Sequence, residues 1–334
     1  LADLLDMSFF DVTASYSPDS DLSSDERFHL GLKVHHRNWK FNGTYNGADF
    51  YDLFGPTKTS RKGYSLGLKY RKTLLYDDPK AFDLNISATG YGDLERLPDF
   101  QNVTATFDQL LSFRISLDYE YLRKSLGAVD NEKGIKWQMV SESNYVNSKL
   151  FPRIYTNFDY GIPLPINHSS IWLRTSAGYS FGDRDNPFVN FFFGSFGNNW
   201  VDHLSSKRYR EYYSFPGMDL NEFGGKSYSK IMLEWDLPPL RFRRAGVTNF
   251  YLRWAHLSLF SSAITTNFDG DGGRNPLPQF GVRRSLANLG GQVDFRLVML
   301  ARLNTTISLG YAVAFEDEQD ISKDFMFSLK ILGK

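Results

Sequence analysis

The feature that most restricts this chain is an alternation of apolar and polar residues with period two, sustained in segment after segment, while helical spacing is nearly absent. Phe325, Phe327, Leu329 and Ile331 fall on one side of a segment, Ser328 and Lys330 on the other. Ile231, Leu233, Trp235 and Leu237 oppose Lys230, Glu234 and Asp236, and Phe250, Leu252 and Trp254 oppose Asn249, Tyr251 and Arg253. Such a pattern puts one set of side chains on each face of a β-strand. It suits a soluble sandwich, with its polar face wet, and equally a membrane barrel, with its polar face inward. Two further features favour the barrel. Many segments run for about ten residues or more, beyond the usual strand of about five or six and close to what a tilted strand needs to cross a bilayer. Aromatic residues also gather at segment ends, as in Tyr64 and Tyr70, Tyr119 and Tyr121, Tyr179 and Phe181, and Phe9 and Tyr16, where a barrel carries its interfacial girdles.

Strands are expected near 7–16, 27–36, 38–46, 62–72, 81–90, 100–107, 110–122, 133–146, 153–160, 169–181, 186–195, 224–237, 246–259, 289–299, 303–313 and 323–332. The expected fold is therefore all-β, a transmembrane antiparallel β-barrel of about 16 strands forming one domain over 1–334. Longer polar connections at 19–25, 47–61, 127–133, 196–223 and 261–288 are expected outside, with tighter turns at 37–38, 108–109 and 300–302 on the periplasmic side. No blade-length repeat with a recurring signature supports a β-propeller. The first stretch has neither a basic region nor a long apolar core, so no signal peptide is expected in it, and a periplasmic domain before Leu1 is left open.

Composition narrows function. Lys and Arg total 38, Asp and Glu 38, and no basic face marks a nucleic-acid partner. Without cysteine there is no disulfide, zinc-thiolate site or thiol nucleophile. A mean hydropathy of −0.38 with only short apolar runs is incompatible with a membrane helix of about 20 residues, and is silent about strands. His29, His35, His36, His168, His203 and His256 have no metal-ligand spacing, and Asp269-Gly270-Asp271-Gly272-Gly273 lacks the closing Glu of a calcium loop. No Ser stands in a Gly-x-Ser-x-Gly context, and Gly194 to Gly197 lacks the lysine of a phosphate loop. No catalytic residue, metal or cofactor is expected. Glu234, Arg253, Asp294 and Arg296 share the polar side of their strands and read as a mutual charge network.

From about Tyr209 onward the chain has a more specific signature. Gly224-Gly225-Lys226-Ser227-Tyr228 leads into Leu233-Glu234-Trp235-Asp236-Leu237-Pro238-Pro239-Leu240, followed by Asn288-Leu289-Gly290-Gly291 and Leu309-Gly310-Tyr311-Ala312. This resembles the last strands of the superfamily containing the BamA assembly factor and the two-partner-secretion transporters. The resemblance implies a sixth outer loop folded back into the lumen, with an Arg at its tip held by acids on the wall. Here Tyr209-Arg210-Glu211-Tyr212 and Phe215-Pro216-Gly217 stand in that loop: Arg210 and Tyr212 match the family pattern, and Glu211 replaces its Gly. Where the family carries an inward Asp, this chain has Arg253. A latch would then join Arg210 to Glu234, with Arg253 answered by Glu211 or Glu222; the charge-rich stretch around Arg210 reads otherwise as a solvated loop. The resemblance further implies a seam between the first strand, with Phe9 and Tyr16, and the last, with Phe325 and Phe327. It implies residence in the bacterial outer membrane, contact with the lipid bilayer and lipopolysaccharide, periplasmic partners, and a role in inserting or translocating polypeptides. The other readings are a barrel that anchors a periplasmic domain or complex, and a passive pore.

Overall fold

A computed structural model describes residues 8–18, 24, 27–46, 49–50, 58–59, 63–94, 107–183, 186–198, 201–202, 205–247, 249–268, 282–299, 303–317 and 320–332. Of these residues 70% are strand, and none is α-helical. The strands are β1 (Ser8–Tyr16), β2 (Phe28–His36), β3 (Trp39–Tyr45), β4 (Asp49–Phe50), β5 (Lys58–Thr59), β6 (Tyr64–Asp77), β7 (Lys80–Gly92), β8 (Leu110–Arg123), β9 (Lys133–Val146), β10 (Lys149–Pro163) and β11 (Ser170–Ser180). They continue with β12 (Phe191–Phe193), β13 (Val201–Asp202), β14 (Phe223–Gly225), β15 (Ser227–Asp236), β16 (Leu240–Arg241), β17 (Gly246–Val247), β18 (Phe250–Thr266), β19 (Ser285–Met299), β20 (Leu303–Glu316) and β21 (Ser322–Leu332). One large sheet holds 16 antiparallel strands, and β13 joins it parallel to β21. Among the described residues the sheet is not closed into a barrel.

The chain divides into two compact units. The first comprises residues 1–119, 138–155 and 180–189. In it β1, β2, β3, β6 and β7 pair in succession as an antiparallel meander, with a bulge between Thr73 and Leu75. Several of its covered polar groups meet one another: Glu142 accepts from Arg153 at 2.8 Å, and Asp118 accepts from Asn85 and Ser116 at 2.8 and 2.7 Å. In the same unit Leu66 and Leu68 of β6, and Leu111 and Phe113 of β8, are exposed.

The second unit comprises residues 120–137, 156–179 and 190–334. Here β11, β15, β18, β19, β20 and β21 pair in that order, each antiparallel to the next. Its strands have the reverse of a water-soluble burial pattern. On β15, Lys230, Glu234 and Asp236 are buried at 4%, 0% and 2% exposure, while Ile231, Leu233 and Trp235 are exposed at 50%, 55% and 41%. Water around a protein selects the opposite arrangement, because exposed Leu and Ile forgo roughly 1.5–3 kcal/mol each of burial free energy. The covered polar face is occupied by the connection from β11 to β15, whose Phe191, Phe193, Phe196, Tyr209, Phe215 and Phe223 are buried. Tyr209 stacks on Phe260 at 4.5 Å between ring centroids, and Phe193 meets Tyr228 edge-on at 4.8 Å. Glycine makes the close approach possible at Gly310, where an added Cβ would lie 2.6 Å from the Phe196 ring.

Four sequence expectations change here. The strand expected at 186–195 is a 3-10 turn at Pro187–Val189 followed by β12, which pairs with β14 outside the large sheet. Its run of phenylalanines has strand propensity, but it is spent on packing. The strand expected at 246–259 starts at Phe250 and reaches Thr266, while Gly246–Val247 folds back on Phe250 and Tyr251 as a tight hairpin. Sixteen antiparallel strands are thus reached with the two-residue β16 and β17 among them. A register shift between Leu252 and Trp254 turns Trp254 to the polar face and leaves Arg253 exposed, since one extra residue reverses the alternation beyond it. Finally, the connection at 127–133 is not with the outer loops. Ser125 and Glu132 meet His168 of the β10–β11 turn, and Gly127 lies against Arg241 just before the β17 hairpin, so it belongs to the tight-turn end. The segment 100–106 and the Asp269–Gly273 stretch lie outside the described residues.

Candidate functional site

The site lies in the second unit, where the β11–β15 connection passes through its second 3-10 turn, at Arg208–Arg210. Arg208 of that turn donates to the Tyr213 hydroxyl at 3.1 Å, while Tyr209 and Arg210 both reach Glu234. Glu234 is the focus: at 0% exposure its carboxylate can persist as an anion only if both oxygens are filled. They are. Arg174 of β11 donates through Nε at 2.6 Å, Tyr209 through its hydroxyl at 2.7 Å, and Arg210 through Nε at 2.9 Å and Nη2 at 2.5 Å. Strand register sets this up, because Trp172 stands opposite Glu234 and Arg174 is two residues further along the same face.

Arg210 then spreads its remaining donors over two more acids, Asp130 at 2.8 Å and Asp236 at 3.2 Å. Lys207 sits beside it. Its Nζ donates to Asp130 at 3.2 Å, Asp236 at 3.0 Å and Ser258 at 2.7 Å, and lies 3.2 Å from Nδ1 of His256. Arg174 also meets Asp159 of β10 at 2.7 Å. Three cations and four carboxylates therefore lock the turn to β10, β11, β15, β18 and the β8–β9 connection. Burial alone would raise the Asp130 pKa, but the charges of Arg210 and Lys207 more than offset it and hold the carboxyl well below the usual range. Burial would likewise loosen the Arg210 proton, yet Asp130 and Glu234 raise its pKa well above the ordinary guanidinium value.

A second anchor holds the rest of the connection. Lys230, on the same face of β15, donates to the backbone carbonyls of Glu211, at 2.9 Å, and Ser214. Asn288 of β19 donates to the Pro216 carbonyl at 2.7 Å, and Gln292 to that of Ser206 at 2.8 Å. Gly217 turns the chain with φ +102 directly against Ala314.

Compared with known proteins, the chain matches no family model and no curated protein. The geometry must therefore speak for the site.

Of the residues anticipated from sequence, Arg210 and Glu234 come together. Tyr212 is beside them in the chain but packs elsewhere, between Phe191 and Tyr228 at 6.4 and 6.1 Å. Arg253 is not answered by Glu211 or Glu222: the bulge carries it to the exposed face, where it makes no ion pair among the described residues. Glu211 contributes its carbonyl, not its side chain, to Lys230, and Glu222 accepts the Asp219 amide at 2.6 Å within its own turn. Asp294 and Arg296 do not pair with each other: Asp294 accepts from Gln292 and Ser308, and Arg296 donates to Thr306. Phe9 and Tyr16 of β1, and Phe325 of β21, are exposed, whereas Phe327 is half-buried.

Asp130, Asp159, Arg174, Lys207 and Tyr209 were not anticipated. Arg174 and Asp236 had a signal, since each shares its strand's polar face with other polar residues. Asp130 had none, being an acid in a connection 80 residues before its partner. Among the described residues no three His, Cys, Asp or Glu could hold a metal ion. The cluster's donors and acceptors are spent on each other, which makes it a clamp.

Proposed function

We propose that this chain is a bacterial outer-membrane β-barrel, its first and last strands meeting at a weak seam, and that it assists the insertion or translocation of polypeptides at that membrane. The observation that carries the reading is Arg210, delivered by a long connection onto Glu234 on the polar face of the sheet. This is the latch that the resemblance of the last third of the chain to the BamA and two-partner-secretion superfamily implies. Membrane residence is supported by the exposed Ile231, Leu233 and Trp235 alternating with buried Lys230, Glu234 and Asp236, the order suited to lipid outside and polar groups within. Closure follows from the same setting, because an open sheet edge in hydrocarbon would leave backbone groups unpaired. A passive pore fits poorly, since the polar face of the second unit is covered by the chain's own aromatic side chains.

The test is reconstitution into lipid vesicles and measurement of how fast an unfolded outer-membrane barrel protein inserts. Acceleration over protein-free vesicles, reduced by Arg210→Ala, is the expected result. Equal rates in both would remove the assembly role and leave a membrane anchor for a periplasmic domain or complex.

A further inference from the structure

Beside the clamp, in the second unit, lies a cavity of ≈ 240 Å³ whose lining includes Trp254, Arg296, Thr306 and Lys330. These four occupy four successive strands in direct register: Trp254 of β18 stands opposite Arg296 of β19, Arg296 opposite Thr306 of β20, and Thr306 opposite Lys330 of β21. They form one row across the polar face. The neighbouring row, His256, Asp294, Ser308 and Ser328, is internally satisfied at its centre, with Ser308 donating to Asp294 at 2.5 Å and Gln292 donating to the same oxygen at 2.8 Å.

The first row is not satisfied in the same way. The carboxylates of Asp130 and Asp294 also line the cavity, as do Lys207 and Arg210, which are spent on Asp130, Asp236 and Glu234, while Asp294 is held by Gln292 and Ser308. Arg296 and Lys330 form no ion pair among the described residues. Arg296 donates one Nη1 bond, 3.0 Å, to the Thr306 hydroxyl. The hydroxyl of Thr306, a residue 5% exposed, thereby receives a hydrogen bond and keeps its own proton to give. Two cations with spare donors, a poised hydroxyl between them and an aromatic edge thus face one polar cavity.

We propose that this row is a binding site for a phosphate group. Arg296 and Lys330 lie two strand spacings apart, roughly 10 Å between backbones. Their long side chains therefore converge on an anion from opposite sides, with Thr306 beneath it. A tetrahedral phosphate has oxygens to meet donors from three directions, whereas a planar carboxylate would be taken edge-on by Arg296 alone. The cavity accommodates a phosphate with a small substituent, so the group can be free phosphate or the head of a phospholipid. The proposal does not depend on the function proposed above.

Calorimetric titration of the detergent-purified protein with inorganic phosphate, a short-chain phosphatidic acid and acetate tests it. Phosphate or phosphatidic acid should bind, and whichever binds more tightly identifies the source. Acetate should bind at least about tenfold more weakly, and Lys330→Gln and Arg296→Gln should each weaken phosphate binding about tenfold, the loss expected for one charge-assisted hydrogen bond. Arg296→Lys, which keeps the charge in a side chain of similar length, guards against a folding defect and should retain part of the affinity. Absence of phosphate binding, affinity unchanged in both Gln variants, or acetate bound as tightly as phosphate would overturn the assignment.

Discussion

Glu234 holds three donor side chains with two oxygens, so removing it and removing one of its partners are not equivalent losses. Glu234→Ala takes the shared carboxylate from Arg174 and Arg210, which keep only Asp159 and the pair Asp130 and Asp236, and leaves the buried Tyr209 hydroxyl without its acceptor; a buried pair broken in this way costs about 3–5 kcal/mol. Arg210→Ala leaves Glu234 still paired with Arg174. Both variants should lower the unfolding temperature in scanning calorimetry, Glu234→Ala by more, and the double variant should be no worse than Glu234→Ala alone. Fully additive losses would mean that the two side chains act separately. Asp130 adds a pH dependence. Its folded pKa is depressed, so its contribution is present above the unfolded carboxylate value of about 3.9 and is lost as the pH falls below it. Thermal stability should therefore decline on acidification from about pH 5 downward, and the Asp130→Asn variant should decline less steeply over that interval. At this scale the sequence was half legible. Arg210 and Glu234 could be found because one sits in a recognisable loop motif and the other on a recognisable strand phase. Asp130 and Lys207 could not, since nothing local to either residue records which distant strand it will meet.

For whole strands, period-two patterning located most of the regular structure, because inward and outward sets on one strand cannot be exchanged without turning every side chain over. It missed where strand-like composition is used for something else. Phe191–Phe193 alternates with nothing and pairs with Phe223–Gly225 as packing material, and the bulge at Leu252–Trp254 broke the phase that had placed Arg253 inward. The exposed face of β15 gives a direct prediction. Leu233→Arg puts a charge among Ile231 and Trp235 and should cost about 2–4 kcal/mol if that face meets the bilayer midplane. The yield of heat-modifiable folded protein in membranes should fall accordingly; unchanged yield would place the face in water. Gly217 makes a second prediction. Its left-handed φ and its approach to Ala314 leave no room for a branched side chain. Gly217→Val should therefore loosen the connection from β20 and open it to limited proteolysis.

Across the molecule, the large antiparallel sheet was legible and its closure was not. Closure is decided by whether β1 and β21 satisfy one another's backbone, and alternation within a strand carries no information about its neighbour. β21 already pairs along one side with β20 and, at Leu329 and Lys330, with β13. Because the chain contains no cysteine, pairs introduced one at a time between β1 and β21 report without background. Crosslinking in intact membranes between Ser8–Tyr16 and the last strand is the expected outcome for a closed barrel. Crosslinks joining β1 only to internal strands beyond β2 would rule that closure out.

The clamp also constrains folding in time. Arg210 reaches back 80 residues to Asp130, and Ser206 is held by Gln292, 86 residues ahead. Contacts this distant in sequence are slow to form, since the intervening chain must be restricted before any of them is gained. Strands β15 to β21 are made after the connection in the chain and pack over it, and a string of buried charges is hard to thread beneath strands already paired. The connection is therefore expected to settle together with the strands that follow it, since β19 supplies Asn288 and Gln292 to hold it and it in turn covers their polar face.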